Sequence, residues 1–199
     1  MQINDRTVLR LLSSDEVSAI YHDHAVYDFP KAELKPLSTL IRLMKTGDYL
    51  CYGLFEENEL RAYAFFAKNG AFLLLDYYAV CRGYRSSGYG GRFLARLHDN
   101  CRGIQGIILE VEAPDCAEDE GELSIRTRRI AFYQRCGVRK TALTSFLFGV
   151  EYDIMYFPCE GECPDEQLRG ELLDIYRKMI SSEAFRSNLK VREPGAPRE

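Results

Sequence analysis

Apolar and polar residues along the chain follow two periods. A run over residues 7–13 has strand character, and Ser13-Ser14-Asp15-Glu16 then supplies N-cap chemistry for a helix that runs towards Pro30. Leu37, Leu40, Ile41 and Met44 recur at helical spacing and predict a second helix over Leu37–Lys45, ended by Gly47-Asp48. Three extended runs follow, Tyr49–Phe55, Leu60–Ala67 and Phe72–Val80. Glu56-Glu57-Asn58-Glu59 separates the first two, and the Asn-Gly signal in Lys68-Asn69-Gly70 separates the last two. The middle of the chain therefore reads as an antiparallel meander.

The period then changes. Gly88–Leu97 predicts a helix with Phe93, Leu94 and Leu97 on one side, and Gly106–Ala113 is a near-continuous apolar strand. Arg126–Arg135 predicts another helix, and Leu143–Phe157 two strands broken near Gly149. Residues 164–180 predict an amphipathic helix with Leu168, Leu172, Ile175, Tyr176 and Met179 on one face, followed by a frayed tail over 192–199. This order predicts a mixed α/β sandwich around one central sheet. The aromatic residues at 52, 55, 63, 65 and 66 fall in its strands as core.

Composition narrows the picture. The chain has 199 residues, 46% of them hydrophobic and 28% charged, as an ordinary globular domain does. Its longest apolar run, Ala71–Leu75, is far below the ~20 residues of a membrane span. The first six residues carry no signal-peptide core, so a cytoplasmic location is expected, with no membrane partner. The net charge of −4 and the lack of a basic stripe argue against nucleic acid and mildly favour a cationic small substrate. Seven cysteines at irregular spacing, with only Cys159 and Cys163 close together, predict free thiols and no metal.

The stretch Val80-Cys81-Arg82-Gly83-Tyr84-Arg85-Ser86-Ser87-Gly88-Tyr89-Gly90-Gly91 joins an apolar strand to a helix. Unpaired N–H groups at such a helix start, with glycines that admit an anion to the backbone, form a pyrophosphate cradle. The stretch is not a Walker loop, because Arg92-Phe93 follow the last Gly instead of Lys-Ser/Thr. Phe93 stands at the third Gly of the dinucleotide fingerprint, and Gly83 is one residue too far from Ser86 for a hydrolase elbow.

Arg85-Ser86-Ser87-Gly88-Tyr89-Gly90 resembles the acetyl-CoA loop of the GNAT N-acetyltransferases, Arg/Gln-x-x-Gly-x-Gly/Ala. Arg82 stands where that family often has Pro, and Ser86 where it often has Gly. Some forty residues on, Arg129-Ile130-Ala131-Phe132-Tyr133-Gln134-Arg135-Cys136-Gly137-Val138 resembles the family's helix ending in aromatic-Tyr-x-x-x-Gly-Phe, and Gly137 reads independently as a helix C-cap. Arg126 takes the place of the family's CoA-binding Asn. The resemblance covers about residues 7–157. It implies a central mixed, mostly antiparallel sheet of about seven strands flanked by helices, as residues 1–158; outside the resemblance, 159–199 is expected to be a C-terminal helix and tail packed on the same domain.

By this resemblance acetyl-CoA is the co-substrate, held by Val80, Arg85, Ser86, Ser87, Gly88, Tyr89, Gly90, Arg126 and Tyr133. The acceptor is a small-molecule or peptide amine, and the pattern is compatible with a homodimer. Tyr133 is the candidate acid for the departing thiolate, since a phenol near pKa 10 donates without being ionised at neutral pH. A backbone N–H near Val80 is the candidate for holding the oxyanion.

Glu110 and Glu112 share one face of an apolar strand and are read either as the base or as residues of a solvent-facing edge or a structural ion pair. Asp76, in Leu75-Asp76-Tyr77, reads as facing an acceptor pocket or capping a turn. His22, His24 and His98 fall outside the catalytic positions of both motifs. The acidic run Asp115, Glu118, Asp119, Glu120 and Glu122 reads as a solvated loop. A CoA-binding module without turnover is the alternative to the enzyme.

Overall fold

The computed structural model describes residues 6–31, 33–193, 195 and 196. Eight strands follow one another in the order β1-β2-β3-β4-β5-β7-β6-β8: β1 Val8–Leu11, β2 Tyr49–Glu56, β3 Glu59–Asn69, β4 Phe72–Val80, β5 Gly106–Glu112, β6 Arg139–Leu147, β7 Val150–Pro158 and β8 Leu189–Arg192. The helices are α1 Ser14–Ile20, α2 Val26–Asp28, α3 Leu37–Thr46, α4 Tyr89–Asp99, α5 Glu120–Arg135, α6 Asp165–Met179 and α7 Ser182–Asn188. β4 and β5 run parallel, while β1–β2, β2–β3, β5–β7, β6–β7 and β6–β8 are antiparallel. No helix among the described residues is long and apolar enough to cross a membrane.

Two compact units divide the chain. The first comprises Met1–Lys68 and Asp76–Asn100. Ser13 caps α1 in a full capping box with Glu16, and the helical path continues through a π-helical turn, Tyr21–Ala25, into α2. Leu40 and Leu43 are the buried residues of α3, so its inward face is turned slightly from the Ile41 and Met44 positions of the sequence pattern. The β2–β3 turn puts both Glu57 and Asn58 at positive φ (53° and 64°), the two-residue geometry that matches strand twist. Tyr63, Phe65 and Phe66 of β3 are fully buried with Leu54, Val17 and Phe93.

The second unit comprises Asn69–Leu75 and Cys101–Glu199. β4 begins in it, pairing from Phe72↔Gly106 to Leu75↔Leu109. Ile107–Leu109, Ile154–Phe157 and the apolar face of α6 form its core, and all five residues predicted for that face are buried.

Two further elements depart from the sequence pattern. α5 starts at Glu120, six residues before the predicted start, with Asp119 as its N-cap accepting from Glu122 N–H at 2.8 Å. Part of the acidic run is therefore a helix first turn, where carboxylates meet the positive end of the dipole. Residues 159–199 add an eighth strand as well as helices, β8 pairing with β6 through Thr144↔Arg192 to Leu147↔Leu189. The predicted tail over 192–199 lies partly outside the described residues.

Gly106 shows why a strand of branched residues opens with glycine. A Cβ there would overlap the ring of Tyr156, whose hydroxyl donates to the carbonyls of Gln105 and Gly161 at 3.0 Å each. Gly106→Ala is expected to destabilise the fold by about 1–3 kcal/mol, the usual cost of overpacking a fixed core. Urea unfolding measures this, and a change under 0.5 kcal/mol would show that the ring yields freely.

Candidate active site

The glycine-rich stretch lies in the first unit, between β4 and α4. After β4 the chain makes a 3₁₀ turn over Arg82–Tyr84, with Cys81 N–H donating to the Arg61 carbonyl at 2.9 Å. Ser86 then takes φ +63° and Gly88 φ +83°. Gly88 is the N-cap of α4 and brings no capping side chain. The first intrahelical bond is Arg92 N–H to the Gly88 carbonyl at 3.2 Å, so the N–H groups of the preceding turn are left for solvent or an anion. A Cβ on Gly83, Gly88 or Gly91 would meet nothing within 4 Å, and residues 85–88 are exposed. The cradle is therefore open backbone, and Gly88 is required for its left-handed φ. Gly90 is buried within the helix, its carbonyl accepting from the Tyr78 hydroxyl at 2.6 Å.

The loop's side chains have other partners. The Arg85 guanidinium donates to Asp28 at 2.8 Å and to the Val80 carbonyl at 3.3 Å. Arg82 donates to the Tyr27 carbonyl at 2.6 Å and stands 3.6 Å from Asp28. The Tyr63 hydroxyl donates to the other Asp28 oxygen at 2.9 Å, and the Asp28 side chain is only 2% exposed. The Tyr89 side chain turns towards the β2–β3 turn, where its hydroxyl donates to Glu56. Arg61 stacks between Tyr84, 4.0 Å from the ring centroid, and Tyr89, at 5.8 Å. Val80, Arg85 and Tyr89 thus shape the loop through these contacts.

Asp28 was not legible as a site residue. A carboxylate at the C-terminal end of a helix opposes the dipole, which was the one signal it offered.

Asp76 in β4 caps no turn. It accepts from the Lys35 ammonium at 2.7 and 2.9 Å and from the hydroxyl of the fully buried Tyr49. Burial, then the Asp76 charge, pushes the Tyr49 phenol well above its ordinary value, so it stays a donor.

In the second unit, Tyr133 lies near the end of α5. The helix stops at Gly137, φ +90°, with Val138 N–H returning to the Tyr133 carbonyl at 3.1 Å, as the C-cap reading required. The Tyr133 side chain is 8% exposed and its hydroxyl makes no hydrogen bond among the described residues. Burial pushes its pKa up to about 12, against a smaller lowering by Arg129.

The two glutamates of β5 have different company. Glu110 accepts from Ser145 Oγ at 2.6 Å and from the Tyr176 hydroxyl of α6. Glu112 accepts from Arg129 at 2.7 Å and lies 3.5 Å from Arg126. Arg126 is held further by Glu122 at 3.0 Å and by the Ala113 carbonyl at 3.1 Å.

No protein-family model matches the chain, and no curated protein does. Solved structures do match in fold. A GNAT-family protein from Bacteroides thetaiotaomicron superposes with a TM-score of 0.65 at 21% identity, over 83% of this chain and 93% of its own. The ribosomal-protein-S18-alanine N-acetyltransferase of Escherichia coli gives 0.57 at 20% identity, over 80% and 97%. The yncA protein of Salmonella typhimurium, solved with its cofactor acetyl-CoA, gives 0.55 at 18% identity, over 80% and 98%. The fold of this chain is the GNAT acetyltransferase fold.

Ser86 holds a conformation that favours glycine. Left-handed backbone costs a residue with a Cβ roughly 1–2 kcal/mol, and a β-branched side chain suffers most. The expected stability order is therefore Ser86→Gly at or above wild type, and Ser86→Val below it by about 1–2 kcal/mol. Thermal unfolding of the three proteins tests this, and Ser86→Val matching wild type would count against the φ assignment.

Proposed function

We propose that this protein is an N-acetyltransferase that transfers an acetyl group from acetyl-CoA to a primary amine in a ternary complex. The observation that carries the reading is the open N-terminus of α4, capped only by Gly88 and reached from β4 through the glycine-rich loop, in a fold that one similar structure shares with acetyl-CoA bound. The N–H groups of Ser86–Gly91 would hold the pyrophosphate, with Arg85 and Asp28 fixing the loop. Acetyl-CoA supplies the activated acyl group.

Tyr133 is the proton donor to the departing thiolate. Its raised pKa keeps the phenol protonated across the neutral range, and its hydroxyl has no competing hydrogen-bond partner among the described residues. Glu110 and Glu112 are the two candidate bases: Glu110 accepts from the hydroxyls of Ser145 and Tyr176, and Glu112 is occupied by two guanidinium groups. The second reading, a CoA-binding module without turnover, draws on the same geometry, because both glutamates already have partners.

Calorimetric titration with CoA tests the cradle. Gly90→Val brings a β-branched side chain into a buried helical position and is expected to weaken CoA binding at least about ten-fold, the equivalent of 1.4 kcal/mol. Unchanged affinity would place the cofactor elsewhere.

Thioester turnover with a panel of amines separates enzyme from module. Tyr133→Phe is expected to lower turnover by about 10²–10⁴-fold with CoA affinity retained. Because the Tyr133 pKa is pushed up to about 12, the phenol keeps its proton through pH 10 and activity should show no alkaline loss from it in that range. A fall centred near pH 10 in wild type that vanishes in Tyr133→Phe would contradict the burial assigned to this residue.

A further inference from the structure

Asp76 interrupts an otherwise apolar strand, and its side chain is 11% exposed. What neutralises it is a primary alkylammonium. Lys35 Nζ lies 2.7 and 2.9 Å from the two carboxylate oxygens and 5.2 Å from the centroid of the Tyr77 ring, and the Tyr49 hydroxyl completes the shell. One carboxylate, one aromatic face and one phenolic donor are what the recognition of an organic cation requires.

Lys35 comes from the irregular stretch between α2 and α3, outside any helix or strand. Glu33 and Lys35 are tied down by tyrosine hydroxyls. Tyr21 donates to the Lys35 carbonyl at 3.0 Å, Lys35 N–H donates to Tyr77 Oη at 2.8 Å, and Tyr77 donates to the Glu33 carbonyl at 2.8 Å. The Lys35 side chain is 22% exposed, so the occupied site reaches solvent through the lysine itself.

We propose that Asp76, with Tyr49 and Tyr77, is a recognition site for the primary ammonium group of the acceptor, and that Lys35 is its tethered occupant in the free protein. This rests on the acetyltransferase reading and names the acceptor's binding form, an alkylammonium ion. A free amine of this class competes with Lys35 for the carboxylate, so the Lys35 ammonium must leave before the acceptor binds.

The test is chemical rescue without CoA. Removing one partner of a buried ion pair leaves the other charge uncompensated, so Lys35→Ala should unfold at a lower temperature than wild type. Ethylammonium chloride, compared with sodium chloride at equal ionic strength, is expected to restore it. A ligand at ten times its dissociation constant raises the melting temperature of a chain this size by about 3–5 °C. Wild type, with its site filled, should gain less, and Lys35→Ala/Asp76→Asn should gain nothing. Lys35→Gln, which keeps a hydrogen-bonding head, serves if the alanine variant does not fold.

Rescue confined to the variants that retain Asp76 supports the site. No rescue, or equal rescue with and without Asp76, overturns it. Since neither CoA nor turnover enters the measurement, its failure would leave the acetyltransferase reading to stand or fall on the CoA titration.

Discussion

A carboxylate shielded from water must be neutralised, and in the first unit that demand organises the loop. Asp28 has 2% of its side chain exposed and is met by Arg85, Arg82 and Tyr63. The two arginines belong to the stretch between β4 and α4, so neutralising one charge anchors the loop at both sides of its 3₁₀ turn. With its cationic side chains committed there, what the loop would offer a ligand under the proposed function is its backbone N–H groups. A cradle made of backbone is less sensitive to sequence than one made of side chains, and this loop accepts Arg82 and Ser86 where Pro and Gly are frequent in the family it resembles.

In the second unit the C-terminal residues are integrated with the strand that carries the two candidate bases. Tyr176 of α6 donates to Glu110, and β8 pairs with β6 next to Ser145, which donates to the same carboxylate. The register Ser145↔Val191 puts the last strand directly beside that serine. Residues beyond 158 therefore belong to the surroundings of Glu110.

Much of the fold was legible because it rests on local pattern. The meander from Tyr49 to Val80, the buried face of α6 and the Gly137 stop each follow from periodicity or from a single residue's conformational freedom. β8 was not legible, since four residues following a short helix form a strand only when β6 offers an unpaired edge. The start of α5 was hidden by Gly121 and a dense acidic run that resembles solvated loop.

The site divides in the same way. Gly88 and Tyr133 stand out through local motifs. Asp28 meets Arg85 across 57 positions and Lys35 meets Asp76 across 41, and no local signal encodes such a pair. The pattern flagged Asp76 as an anomaly and was silent on the lysine that answers it.

The two strands at the ends of the order, β1 and β8, have four residues each. β1 carries Arg10, and β8 alternates Leu189 and Val191 inward with Lys190 and Arg192, the latter bound to Glu151 at 2.6 and 2.9 Å. A sheet margin this short is a poor template for another chain's backbone. β6, with nine residues, would be a far longer margin without β8 alongside part of it. The last strand thus works against aggregation, and shortening the chain before Leu189 would trade a protected sheet margin for an adhesive one.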